Sequence, residues 1–180
     1  MKKTSIGLLA AVATLAGAGT LSAQSMGPTT PLAIEVRGGL ALPTGDDADG
    51  LNTGFTVGGD LIFQATPMIG IYAGYNYNEF GVEDVDDVSV NVKGFDAGVR
   101  LGFPTTSLGG FTPFLKGGVL YQSAEITDTD IETDDEFGFE VGGGLEYMLG
   151  NRVSFTPAAS YNKVEDAKYV KVDLGLKVRI

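Results

Sequence analysis

The chain has 180 residues, a net charge of −11, and neither Cys nor His. The acidity excludes a nucleic-acid partner, because a phosphate backbone calls for a basic surface. The missing thiols and imidazoles exclude disulfides, Ser-His and Cys-His nucleophiles, and metal sites built on those ligands.

The N-terminus reads as a secretory signal. Lys2 and Lys3 form a positive region, an apolar and small-residue stretch runs from Ile6 to Leu21, and Leu21-Ser22-Ala23 supplies a cleavage site. The expected layout is a cleaved signal peptide over 1–23, a short N-terminal segment over 24–32, and one domain over 33–180. The mature chain would hold about 157 residues, which suits a single domain. Without Lys2 and Lys3 its net charge is −13. No other apolar run reaches the length of a membrane-spanning helix. Twenty-seven glycines and frequent turn clusters point instead to many short strands.

Eight period-2 stretches follow Pro31. The first, Ala33–Leu42, places Ile34, Val36, Leu40 and Leu42 on one face. The second, Phe55–Ala65, places Phe55, Val57, Leu61 and Phe63 there, and the third, Ile69–Asn78, places Ile71, Ala73, Tyr75 and Tyr77. The fourth, Ser89–Phe103, carries Phe95, Ala97, Val99, Leu101 and Phe103. The fifth, Phe111–Ser123, carries Phe111, Leu115, Val119 and Tyr121, and the sixth, Glu136–Met148, carries Phe137, Phe139, Val141, Leu145 and Tyr147. The seventh, Arg152–Asn162, carries Val153, Phe155, Ala159 and Tyr161, and the eighth, Tyr169–Ile180, carries Val170, Val172, Leu174, Leu176, Val178 and Ile180. A tilted strand crosses a bilayer in about 9–11 residues.

The connections alternate in length. Those after strands one, three, five and seven are longer (43–54, 79–88, 124–135 and 163–168), and those between are shorter (66–68, 104–110 and 149–151). Outer-membrane barrels pair short periplasmic turns with longer extracellular loops. The fold expected is therefore an all-β, eight-stranded antiparallel up-and-down transmembrane barrel in the outer membrane of a Gram-negative-type bacterium.

The second face of the strands decides which way round the barrel is built. It carries Glu35, Arg37, Asp60, Asp96, Arg100, Lys116, Glu140, Glu146, Lys171, Asp173, Lys177 and Arg179, six acids and six bases. Confined charges must balance, because an unpaired buried charge costs several kcal/mol. Gly38, Gly58, Gly74, Gly98, Gly102, Gly118, Gly142, Gly144 and Gly175 lie within strands, most of them on that charged face. Small residues beside long side chains suit a narrow lumen. Aromatics gather at both ends of the apolar face. Phe63, Phe103, Phe111, Tyr147 and Phe155 lie toward the short turns, and Phe55, Tyr75, Tyr77, Tyr121, Phe137 and Tyr161 toward the long loops. The expectation is apolar face to lipid and charged face to lumen. Two features break the pattern. Val88, Val90 and Val92 have the wrong parity, which predicts a bulge near Lys93-Gly94 or a strand leaving the membrane there. Pro113 and Pro157 fall within strands that have no free edge.

The strand count, the loop parity and the last strand, Tyr169 to Ile180, resemble the small outer-membrane β-barrel family, which includes OmpX, the opacity adhesins and the barrel half of OmpA. The resemblance covers 33–180. It implies recognition of the last strand by the barrel-assembly machinery, although family members usually end in Phe or Trp and this chain ends in Ile180. Barrels of the lipid A deacylase type use a His-Ser pair, which this chain lacks.

Three functions compete. The first is a non-enzymatic barrel with a charge-paired, plugged lumen and acidic extracellular loops, serving envelope integrity or adhesion. The second is a narrow ion or small-solute channel, which eight strands would leave very tight. The third is a lipid-modifying membrane enzyme. No catalytic residue and no cofactor is assigned. Glu140 and Glu146 could form a carboxylate pair, but ion pairing is the expected role. All 17 acids outside the lumen set fall in or beside the long loops. Among them Asp128, Asp130, Glu132, Asp134 and Asp135 are weak metal candidates, lacking the Gly and terminal Glu of a calcium loop at the required spacing. The expected partners are outer-membrane lipid and lipopolysaccharide, with divalent bridging, and an extracellular ligand at the acidic loops. The chain is expected to be a monomer.

Overall fold

In a computed structural model, residues 31–45, 50–82, 89–104, 108–126, 135–165 and 167–180 are described. They form β1 (Leu32–Pro43), β2 (Gly54–Gln64), β3 (Ile69–Gly81), β4 (Ser89–Gly102), β5 (Phe111–Ile126), β6 (Glu136–Met148), β7 (Val153–Val164) and β8 (Ala167–Arg179). Each strand pairs antiparallel with the next, and β1 pairs with β8, closing the ring. The expected eight-stranded up-and-down barrel is the observed fold. Closure pairs every strand on both sides, which is what lets a sheet sit in hydrocarbon.

The stagger follows from the register. Ladder partners followed once round the ring run Ala33, Ile62, Tyr72, Gly98, Gly118, Glu140, Asn162, Tyr169, and return to β1 at Pro43. At ordinary strand spacings this displacement means a tilt of about 40° and a backbone radius of about 8 Å. So narrow an interior is filled by side chains.

The faces are inverted relative to a soluble protein. Outward residues such as Phe95 (63 % exposed) and Phe137 (64 %) are apolar, while inward Lys171 (1 %) and Glu140 (2 %) are charged and buried. Outward aromatics pair laterally near the long-loop end: Tyr75 with Phe95, Tyr121 with Phe137, and Phe139 with Tyr161. Phe111 and Tyr147 pair at the short-turn end. From Phe111 to Tyr121 on β5 the axial height is about 25 Å, the thickness of an outer-membrane apolar band.

One expectation is decided between its two alternatives, and two are corrected. The register of β4 with β3 and β5 runs unbroken past Lys93 and Gly94, so no bulge lies there. The strand leaves the apolar band instead. Val92 packs inward against a cluster of Ala41, Phe80 and Tyr169, while the outer face at that level turns polar, with Lys93 2.5 Å from Glu125. The expected loops also overshoot, because strand continues beyond the band. Phe80 is in β3, Ala124 in β5 and Val164 in β7, and β7 joins β8 through residues 165–166 alone, with Glu165 at φ 47°. That connection is a tight hairpin, whereas β4 and β5 are joined across 103–110, so length does not alternate strictly. Of the nine glycines singled out from the sequence, eight face the lumen. Gly38 pairs with lipid-facing Val57, and Gly39 beside it takes the inward place.

The two prolines find separate solutions. The Pro113 carbonyl accepts the Phe103 N–H at 2.8 Å, at the last rung of β4 and β5. At Pro157 the β6–β7 pairing lapses between Gly144↔Ala158 and Tyr147↔Phe155, then resumes in the same register, while β7–β8 runs through Pro157↔Leu174. The missing N–H thus falls on the β6 side and opens a local gap without a register shift.

Candidate functional site: the charged lumen

All twelve charged residues singled out from the sequence point inward. Ten are buried, and Glu146 and Arg179 are half-buried near the short-turn end. The barrel brings eleven of them into ion-paired groups, at two levels of the lumen. Near the short turns, Arg100 bridges Glu35 at 2.9 Å and Glu146 at 3.2 Å. Lys177 and Arg179 also reach Glu146, Arg179 at 3.1 Å. The Arg100 guanidinium lies 3.5 Å above the centre of the Phe114 ring, a cation–π contact.

Higher in the lumen, Arg37 donates to Asp60 at 2.8 Å and to Asn76 Oδ1 at 2.9 Å, and stands 3.6 Å from Asp96. Asn76 Nδ2 donates to Asp96 at 2.6 Å. Glu140 accepts from Tyr72 OH at 2.5 Å and lies 2.9 Å from Lys116 Nζ and 4.0 Å from Lys171 Nζ. Glu140 and Glu146 therefore sit in different clusters, each held by cations, and do not form a carboxylate pair. Asp173 is buried, yet no cation lies within 4.0 Å of it among the described residues, and its Oδ1 has no hydrogen-bond partner there.

Glycine makes this packing possible. Tyr72, Gly98, Gly118 and Glu140 occupy one row across four strands. A Cβ on Gly98 or Gly118 would stand 2.6 or 2.5 Å from the Tyr72 hydroxyl. The ring therefore crosses two bare backbones to reach its carboxylate. Gly74 likewise makes room between Asp60 and Asp96, since a Cβ there would lie 2.1 Å from an Asp60 oxygen.

Sequence reasoning missed the uncharged members of the lumen, Tyr72, Asn76, Phe114 and Gln122. Their parity within β3 and β5 matches the charged face and could have found them. Of the metal candidates, Asp128, Asp130, Glu132 and Asp134 lie outside the described residues. Asp135 accepts a hydrogen bond from Tyr121 OH at 2.7 Å. Among the described residues no group of three acids could hold a metal ion. Residues 1–30, with the expected signal segment, also lie outside the described part.

No curated protein matches the sequence. Solved structures do match the fold. Neisserial surface protein A (NspA) has a TM-score of 0.68 at 15% identity, over 84% of this chain and 98% of its own. Ail of Yersinia pestis gives 0.57 at 14%, over 83% and 97%. The N-terminal β-barrel domain of Pseudomonas aeruginosa OprF gives 0.56 at 16%, over 82% and 97%. The outer membrane protein beta-barrel domain family matches residues 10–179, and with the closed, inverted barrel described above the chain belongs to that family.

Proposed function

We propose that this outer-membrane barrel is non-enzymatic, that its ion-paired interior is a plug, and that it works through its extracellular end in envelope integrity or surface interaction. The observation that carries the reading is the lumen packing: the side chains of Arg37, Arg100, Lys116 and Glu140 are each at most 9% exposed and lie within 2.9 Å of an opposite charge. Opening a water path would separate those pairs in a low-dielectric interior, at several kcal/mol for each cluster. Planar-bilayer recording at neutral pH is the test. The expected trace shows no steady steps, and long-lived ion-selective steps would refute the plug.

The chemistry of the long-loop end indicates the kind of partner. The connections at that end, residues 44–53, 82–88, 127–135 and 165–166, contain fourteen acids and no Lys or Arg. Ail has been crystallised with the polyanionic heparin analogue sucrose octasulfate. The acidic connections here share the sign of such a ligand, which disfavours polyanions and favours cationic partners and divalent ions bridging to lipopolysaccharide phosphates. An N-terminal export signal, a monomeric state and assembly through the last strand complete the proposal.

A further inference from the structure

The long-loop end of the barrel interior is built differently from the charged lumen below. Phe80 and Tyr169 meet edge to face at 5.7 Å and, with Ala41, Leu51 and Val92, form an apolar layer. Against this layer lies a cavity of about 140 Å³, walled mainly by apolar side chains such as Leu51, Phe80, Val92 and Val164. An apolar cavity of about 150 Å³ is enough to hold a benzene-sized molecule.

One buried polar group interrupts that wall. Gln122 lines the cavity and is 2 % exposed. Its Oε1 accepts from Tyr169 OH at 2.9 Å, while its Nε2 has no hydrogen-bond partner among the described residues. A buried donor left unpaired forfeits the hydrogen bond that water would have given it. The side chain lies across Gly94, where a Cβ would stand 2.9 Å from the Gln122 Cγ, so packing fixes its place. On its ladder row Gln122 stands two strands from Asn76 of the lumen network, with Gly94 between them.

The rim sets the sign of a ligand. The connections between strands at this end of the barrel hold fourteen acids and no bases in sequence, which disfavours a carboxylate or phosphate. Lys168 and Glu136 at the cavity wall are of opposite charge. We propose that this cavity binds a small neutral apolar molecule carrying a carbonyl acceptor. Gln122 Nε2 donates to that acceptor, and the apolar body packs against Phe80, Val92, Val164 and Tyr169. The lumen below stops the ligand, so the event is binding rather than passage.

The test is NMR of the folded barrel in lipid nanodiscs, with labelled glutamine side chains and methyl groups. The probes are acetophenone, ethylbenzene and benzoate. Acetophenone should saturably shift the Gln122 side-chain amide together with the Val92 and Val164 methyls. Ethylbenzene should shift those methyls more weakly, and benzoate least of all. In Gln122→Leu the acetophenone affinity should fall about tenfold, the scale of one hydrogen bond, with ethylbenzene unchanged. Val164→Phe, which fills the cavity, should abolish the shifts from both probes and keeps the test decisive where the glutamine variant does not assemble. Equal affinity for acetophenone and ethylbenzene in the wild type would overturn the proposal. So would shifts confined to lipid-facing methyls such as Val119, or contacts from the Gln122 amide to the chain's own residues 83–88 or 127–134 without probe.

Discussion

Arg100→Ala is the sharpest perturbation of the plug. Its guanidinium is shared between Glu35, Glu146 and the Phe114 ring. The two acids would not lose equally. Glu146 keeps Lys177 and Arg179, whereas Arg100 is the only cation within 4.0 Å of Glu35 among the described residues. Glu35 is buried on the first strand, between β2 and β8. Stranding one partner of a buried pair costs about 3–5 kcal/mol, and the lost cation–π contact adds about 1 kcal/mol. Arg100 and Glu146 also border a solvent-connected cavity at the short-turn mouth, through which water can reach the vacated space. The net expectation is a loss of about 3 kcal/mol, or roughly 1–2 M in urea midpoint at ordinary slopes. The assay is reversible urea unfolding in short-chain phosphatidylcholine vesicles. It is followed by far-UV circular dichroism and heat-dependent gel mobility, since the chain has no Trp. Adding Glu35→Gln to Arg100→Ala should recover at least about 1 kcal/mol, because the stranded charge is removed. A loss below about 0.5 kcal/mol for the single variant, or strict additivity in the double, would refute the account.

Other outcomes follow from the same geometry. Gly98→Val should push Tyr72 off Glu140 and destabilise by about 2 kcal/mol or more, while Gly59→Ala on the lipid face should change stability by less than about 1 kcal/mol; equal losses would show that Tyr72 is not held by the bare row. Val99→Arg, midway between Phe95 and Phe103 on the outer face of β4, should cost about 2–4 kcal/mol in vesicle unfolding, and a neutral result would contradict the placement of the bilayer. Lys93→Ala should cost under about 1 kcal/mol, as its pair with Glu125 is partly exposed. Pro157→Val restores an N–H facing β6 and should stabilise by about 0.5–1 kcal/mol, read as slower hydrogen exchange at residues 145 and 146; unchanged exchange would mean that the gap has another cause.

The architecture was legible in the sequence because strand alternation is local. Neighbouring side chains point to opposite faces whatever the rest of the chain does, so parity alone separated lipid-facing Val36 and Leu174 from inward Arg37 and Asp173. The same rule, applied to uncharged residues, would have added Tyr72, Asn76 and Gln122. Where parity misled, at Val90 and Val92, the reason was the solvent and not the strand. Beyond the apolar band the outside is water, and the inward side becomes the apolar one.

What the chain alone determined is therefore the number of strands, their two faces and the balance of charge between them. The tertiary structure decided which charges meet. That choice depends on the stagger at closure, a sum over eight registers that no single strand encodes. The stagger brings Arg100 to Glu35 and Glu146, carries Tyr72 over two glycines to Glu140, and leaves Asp173 without a cation within reach among the described residues.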